Sequence, residues 1–332
     1  GPALADWSYE PDSGGSFSQF VGRAASSPDA THPMAMFVMD DEATWLARRP
    51  QGMEPDELAE VVELTRAGRL VDAWRVMRVK IADERRHPPL GPPYNPVPNN
   101  WALYAEGTTY FMPVSELTHV LLNVLPGLLN EEHGFFFVDE RNHFQPAGLD
   151  EFAKSNGGHL DDDPRNGKVF PWGHFERLNT EFCAVEQGMA LQNLGLACQA
   201  LGLSGFPHYA FHDEAWFEAL GFRMSEMPVS EFMDAGFIPS AVMRLKGQDV
   251  GMGYPLGLER EGEVLLKAYC PPYFESMEAA VRAIVEQKFG SEGVYRRGGA
   301  IYQERKADSG WKNPTDLASH VSAPDEIGVK AA

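Results

Sequence analysis

Cysteine is scarce in this chain, positive charge is scarce, and long apolar runs are missing. The three cysteines, Cys183, Cys198 and Cys270, are too few for a disulfide framework in 332 residues. Cys183 and Cys198 fall in an apolar, helix-like run, so they read as small hydrophobes in a reducing compartment, the cytoplasm. Lys and Arg number 28 against 48 Asp and Glu, a formal net charge of −20. Nucleic acid and anionic membrane both attract positive charge, so neither is an expected partner. No apolar stretch approaches the roughly 20 residues of a spanning helix, and the first residues lack a basic and apolar signal pattern. No Gly-x-Gly-x-x-Gly is present, so a Rossmann dinucleotide site is not expected. His-Glu-x-x-His and Gly-x-Ser-x-Gly are also missing, and no internal repeat is visible.

What is present is one long apolar run, Leu178–Phe211, LNTEFCAVEQGMALQNLGLACQALGLSGFPHYAF. It reads as a helix over 178–203 followed by a tight loop. Thr180 is placed to cap its start and Glu181 to favour its positive end. Gly202 and Gly205 supply the stop. Val185, Met189, Leu191, Leu194, Leu196 and Leu201 go nearly all round, which predicts a buried helix. Gly188, Ala190, Gly195, Ala197 and Ala200 let a neighbouring backbone come close.

Around it the chain divides into four stretches: an irregular arm over 1–52, a helical and Pro-rich segment over 53–110, a core over 111–290 and an extended tail over 291–332. The arm holds one short apolar stretch, Met34 to Met39. Pro55 suits a first helical position, with Asp56 and Glu57 in the first turn. Apolar residues from Leu58 to Ile81 recur at helical steps, with a break at Gly68. Arg66, Arg69, Arg75, Arg78, Lys80, Arg85 and Arg86 make the only basic region, read as a solvated face. The six prolines of 87–100 impose a stiff connector. A helix follows from Ser115, stopped at Pro126-Gly127, then a strand at Gly134–Val138, a helix at Asp213–Leu220 and a short one near Ser230. Strands are expected at Ser240–Leu245 and Val264–Tyr269, with GQDVGMGYPLGL between them as a connection. Ser276 is placed to cap a further helix.

The run VEQGMALQNLGLACQALGLSGFPHYAF resembles the central helix and following loop of the nitroreductase-like flavoproteins, especially their azoline-oxidase branch. The resemblance covers roughly residues 110–290 and is strongest over 178–211. It implies an α+β fold with a central mixed or antiparallel sheet wrapped by helices around a long buried helix. It also implies an intertwined homodimer with FMN at the subunit interface. The activity implied is an FMN-dependent oxidoreductase of a biosynthetic pathway, moving hydride through flavin N5, with NAD(P)H as a possible transient donor. By the same resemblance Pro207, His208, Tyr209 and Ala210 line the flavin ring. The family often has Glu-Gly where this chain has Tyr209-Ala210. Gln192 of the QNL segment joins the cofactor side, and Asn99 and Asn100 match a flavin-touching loop. The phosphate falls to Arg260, just after Gly253-Tyr254-Pro255, or to Arg296 and Arg297, each of which also reads as a surface charge.

His208 and Tyr209 are the candidate catalytic pair. Imidazole is the side chain whose charge changes near neutral pH, which suits a proton donor. The family's early Arg-x-Ser phosphate pattern is replaced here by Arg23-Ala24-Ala25-Ser26, and its Arg-Pro-Ser-Ala-Gly segment is missing. A second reading follows, in which the fold is kept but flavin is lost. The chain would then be a cofactor-free or metal-using enzyme, or a binding subunit. A metal would draw on His208 and His212, four residues apart, and on His159 with Asp161–Asp163.

Overall fold

Met34 to Met39, MAMFVM, is the strand on which one half of the molecule is built. Alternate residues point inward, and Ala35, Phe37 and Met39 are fully buried. It lies within the stretch expected to be an irregular arm. The expectation failed because both faces of the strand are apolar, so no period-two alternation marks it.

The computed structural model describes residues 4–7, 20–23, 27, 32–49, 53–89, 105–128, 136–140, 143–146, 169–208, 212–233, 235–276, 279, 280, 283 and 284. They fall into two compact units. One is drawn from residues 1–34, 115–205 and 269–332, and the other from 35–114 and 206–268.

The second unit contains a four-stranded sheet in the order β5-β4-β3-β6. Its strands are β3 (Met34–Met39), β4 (Thr44–Ala47), β5 (Arg78–Ala82) and β6 (Tyr110–Ser115). Strands β3 and β4 pair antiparallel, as do β4 and β5. Helices α1 (Pro55–Arg66) and α2 (Leu70–Met77) connect β4 to β5. Pro55 opens α1 and the chain breaks at Gly68, as the sequence predicts. Ile81, assigned to that helical stretch by its spacing, belongs instead to β5.

Against this sheet lie α5 (Asp213–Ala219) and a second antiparallel sheet, β10-β11-β12. Its strands are Arg223–Pro228, Gly251–Arg260 and Glu263–Leu266. Phe37, Met39, Leu46, Ile81 and Met112 meet Trp216, Leu220, Phe222, Leu258 and Leu266 in one core. Two elements correct the sequence reading. GMGYPLGLER, read as a connection, is the ten-residue strand β11, in which Tyr254 pairs with Ser225 and Pro255 with Met224. Ser240–Leu245, read as a strand, belongs to a helix, α7 (Phe237–Leu245), entered at Gly236. A four-residue helical turn, α6 (Val229–Phe232), precedes it.

The first unit is organised by α3 (Leu117–Leu128) and the 29-residue α4 (Trp172–Ala200). With them is a small sheet, β8-β7-β9, of Gln145–Pro146, Phe136–Asp139 and Val169–Pro171. Helix α3 continues through Pro126-Gly127 instead of stopping there. Strands β7 and β9 run parallel, which sets Phe137 beside Phe170. Phe137, Phe170, Trp172 and Phe175 then pack ring against ring, with Phe137 centroids 5.5 Å from Phe175 and 5.7 Å from Trp172. Two further strands, β1 (Leu4–Trp7) and β2 (Phe20–Arg23), pair antiparallel within the expected arm.

The start of α4 lies eight residues before Thr180. Pro171 ends β9 and occupies the extended residue before the first turn. Glu140, at the end of β7, accepts the Gly173 N–H at 3.1 Å, so a carboxylate from another element satisfies an orphan donor at the positive helix end. Thr180 is mid-helix, and its hydroxyl donates to the Glu176 carbonyl one turn back.

The burial of α4 also differs from expectation. Trp172, Phe175, Asn179, Cys183 and Glu186 form its buried face, where it packs against α3, β7 and β9. From Gln187 to its end no residue is buried, and Val185, Met189 and Leu196 are exposed. Cys183 is buried and Cys198 only half-buried. The structure is thus α+β with mostly antiparallel sheets. Among the described residues the strands form four separate sheets, not one central sheet around a buried helix.

Candidate functional site

The end of α4 and the loop after it are shaped by one local motif. Gly202 is left-handed at φ +70°, its N–H donates to the Gln199 carbonyl, and the Leu203 N–H donates to that of Cys198 at 2.8 Å. This is a Schellman closure, and glycine suits it because a Cβ is disfavoured at that φ. The chain then runs out through Leu203, Phe206 and Pro207, all exposed, to a half-buried His208. Tyr209 and Ala210 lie outside the described residues. The path resumes at His212, left-handed at φ +56°, which precedes α5 with its Nδ1 3.7 Å from Glu214 Oε1.

The run from Gln187 to His212 contains no Asp, Glu, Lys or Arg. In a chain with 23% charged residues, about six would be expected over that length. Exposed apolar surface without charge is the surface a protein offers to a ligand or another chain. Gln192 is exposed on the outward part of α4, within this run. By the compact units, Gln192 belongs to one, and Pro207 and His208 to the other.

Arg260 is placed differently from the other candidates. Its Nη2 donates to the Ile81 carbonyl at 3.1 Å and its Nη1 to the Glu259 carbonyl at 3.2 Å. A Cβ added at Gly221 would lie 2.9 Å from Nη2. The guanidinium therefore acts as a bolt between β11, the end of β5 and the turn after α5. Asn99, Asn100, Arg296 and Arg297 lie outside the described residues, as do His159 and Asp161–Asp163. Among the described residues no group of three His, Cys, Asp or Glu converges to hold a metal. No described helix is long and apolar enough to cross a membrane.

The basic region is an ion-paired face. Arg66 meets Glu63, Arg69 and Arg75 share Asp72, Lys80 meets Asp83, Arg86 meets Glu84 and Arg85 meets Asp41. Hydrogen bonding from Arg69, followed by its charge and that of Arg75, holds the Asp72 carboxyl below its ordinary value. Arg78 sits over the Trp45 ring, 3.8 Å from its centroid.

Two polar residues of α4 went unnoticed in the sequence. Glu186 is buried and its Oε1 accepts the Met34 N–H at 3.1 Å. The next residue, Gln187, donates to the Ser115 hydroxyl at 2.9 Å. Met34 and Ser115 are where the chain leaves and re-enters the first unit, and Glu116 N–H donates to the Pro33 carbonyl there. An acid inside an apolar helical run was the available signal. Deeper on the same face, Asn179 is fully buried and donates to the Phe175 carbonyl.

Comparison of the chain with protein-family models, curated proteins and solved structures yields no match in any of the three.

Proposed function

We propose that this chain is an FMN-dependent oxidoreductase of the nitroreductase-like kind, acting on a small organic or biosynthetic substrate by hydride transfer. The observation that carries the reading is the stretch from Gln187 to His208. It combines the sequence resemblance with a helix end closed at Gly202, a charge-free exposed surface, and a loop presenting Pro207 and a half-buried His208. A flat apolar cofactor ring needs such a surface, with a few polar groups at its edge. When bound, FMN would supply the hydride chemistry. Pro207 and its neighbours would line the ring, and His208 would hold or deliver a proton to substrate. NAD(P)H is the proposed transient donor, and a second copy of the chain the proposed partner.

Arg260 already donates two of its five N–H groups to backbone carbonyls, which tells against the phosphate role. That observation favours a second reading, in which the fold persists without flavin and the chain works as a cofactor-free enzyme or binding subunit. Absorbance spectra of the purified protein, before and after FMN is added, separate the two. Flavin bands, or uptake of FMN that Pro207 substitutions weaken, support the first reading. A colourless protein that takes up neither FMN nor FAD refutes it.

A further inference from the structure

The outward face of β3, β4 and β5 is apolar where an antiparallel sheet in water is ordinarily polar. Met36 and Val38 alternate with the buried residues of β3, and Trp45 and Ala47 with those of β4. All four are half-buried, not sealed. Strand register sets them in two rows. Met36 lies opposite Ala47 and Ala47 opposite Arg78, while Val38 lies opposite Trp45 and Trp45 opposite Lys80. Each row therefore runs from an aliphatic residue on β3 to a cation on β5, all within one compact unit.

The two cations share one ring. The Arg78 guanidinium lies 3.8 Å from the Trp45 centroid and the Lys80 ammonium 5.2 Å from it. The other six cations of the basic region each meet a carboxylate. Arg78 does not. Among the described residues its guanidinium has neither an ion pair nor a hydrogen bond, although the residue is half-buried. Stacking on Trp45 fixes the guanidinium plane and leaves its five N–H donors unused. Lys80 meets Asp83, but the two side chains are 49% and 88% exposed, so that pair exchanges readily for another anion. In a chain of net −20, a half-buried cation without an acid is one positioned for an anion from outside.

We propose that this face is a binding site for a small phosphate monoester with a flat apolar body. The Arg78 fork donates two N–H bonds to the phosphate oxygens, a geometry that guanidinium matches in phosphate and carboxylate alike. Lys80 supplies the second positive charge. Two cations at one place favour a dianion, which a phosphate monoester becomes above neutral pH and a simple carboxylate does not. The apolar body lies along Met36, Val38 and Ala47, where Ala47 has only a methyl group and leaves a step beside the guanidinium. The ligand is small, because a net charge of −20 repels an extended run of phosphates. The assignment comes from this face alone and does not rest on the flavin reading.

Calorimetric titration of the full chain with phenyl phosphate tests it, at about pH 8, where the monoester is dianionic. A single site with Kd on the order of 0.1 mM is expected. Inorganic phosphate, which lacks the ring, and benzoate, which has one charge, should each bind about 10-fold less tightly. Arg78→Gln should weaken phenyl phosphate about 30-fold or more, and Lys80→Gln about 10-fold. Arg78→Lys, which keeps the charge but loses the fork, should weaken it about 5-fold and decides the matter if Arg78→Gln does not fold. Arg66→Gln, on α1, should leave the Kd unchanged. A wild type that takes up no phenyl phosphate at millimolar concentration overturns the assignment. So does a Kd that both Arg78 variants leave unchanged, or benzoate binding as tightly as phenyl phosphate. FMN uptake is read on the same samples without phenyl phosphate, and its absence bears on the proposed function alone.

Discussion

Arg260 and Gly221 provide a test that distinguishes a structural bolt from a phosphate ligand. Gly221 follows α5 at φ +84°, with its N–H donating to Glu218 and the Phe222 N–H to Phe217. Phe222 and Phe217 also stack edge to face at 5.0 Å, the apolar contact that accompanies this closure. Gly221→Ala should cost about 1 kcal/mol for the left-handed conformation. Its Cβ would also lie 2.9 Å from Arg260 Nη2, forcing the guanidinium away from the Ile81 carbonyl. Arg260→Ala should cost about 1–2 kcal/mol, a charge-assisted bond discounted for its partial exposure. In the Arg260→Ala background the collision is gone, so Gly221→Ala should cost only its conformational part. The cycle is therefore expected to be sub-additive by about 1 kcal/mol. Thermal unfolding of the full chain reads this, at about 2–4 °C per kcal/mol for a unit of this size. Equal cost of Gly221→Ala in both backgrounds refutes the bolt. An Arg260→Ala protein with unchanged melting and lost FMN uptake refutes it more directly and restores the phosphate role.

Two further predictions follow from buried polar contacts. Glu186→Ala removes the acceptor of the Met34 N–H and should destabilise the chain by about 1.5–3 kcal/mol, with Glu186→Gln retaining part of that loss; urea unfolding measures both. The Asp249 carboxyl is held below its ordinary value, first by the Ser230 N–H, then by the Ser230 hydroxyl and Arg244. Its folded pKa is thus below its unfolded one, so its stabilisation is full above about pH 4 and fades as pH falls further. Asp249→Asn should be less stable than wild type at pH 7 and equal to it near pH 2, as followed by acid unfolding.

Local chemistry explains what could be read correctly along the chain. Proline at a first helical position and glycine past a helix end act within a few residues, so Pro55, Gly68, Gly202 and Gly221 mark boundaries without knowledge of the fold. The aromatic strand around Phe136–Val138 is legible for the same reason. Where the reading failed, two local signals competed. Gly and Pro in GMGYPLGLER suggest a loop, yet pairing with β10 on one side and β12 on the other makes it a strand. Ser240–Leu245 is rich in residues that suit strands or helices, and entry at Gly236 tips it to helix. The candidate site divides in the same way. The Gly202 closure and the position of Pro207 and His208 just beyond it follow from sequence, while the commitment of Arg260 to Ile81, 179 residues away, does not.

By itself, the sequence determined the glycine-closed helix ends at Gly202 and Gly221 and the charge-free stretch from Gln187 to His212, because those depend on φ preferences and side-chain identity alone. Tertiary structure decided what covers each apolar face. Composition shows that α4 and α7 are apolar, but burial requires a second surface to arrive from elsewhere in the chain. It arrived for Phe175 and Cys183 and did not for Leu196, Phe237 and Leu245. It also decided that Glu186, an acid on an apolar helix, would be buried against Met34, since a hydrogen bond between residues 152 apart exists only once both are brought together.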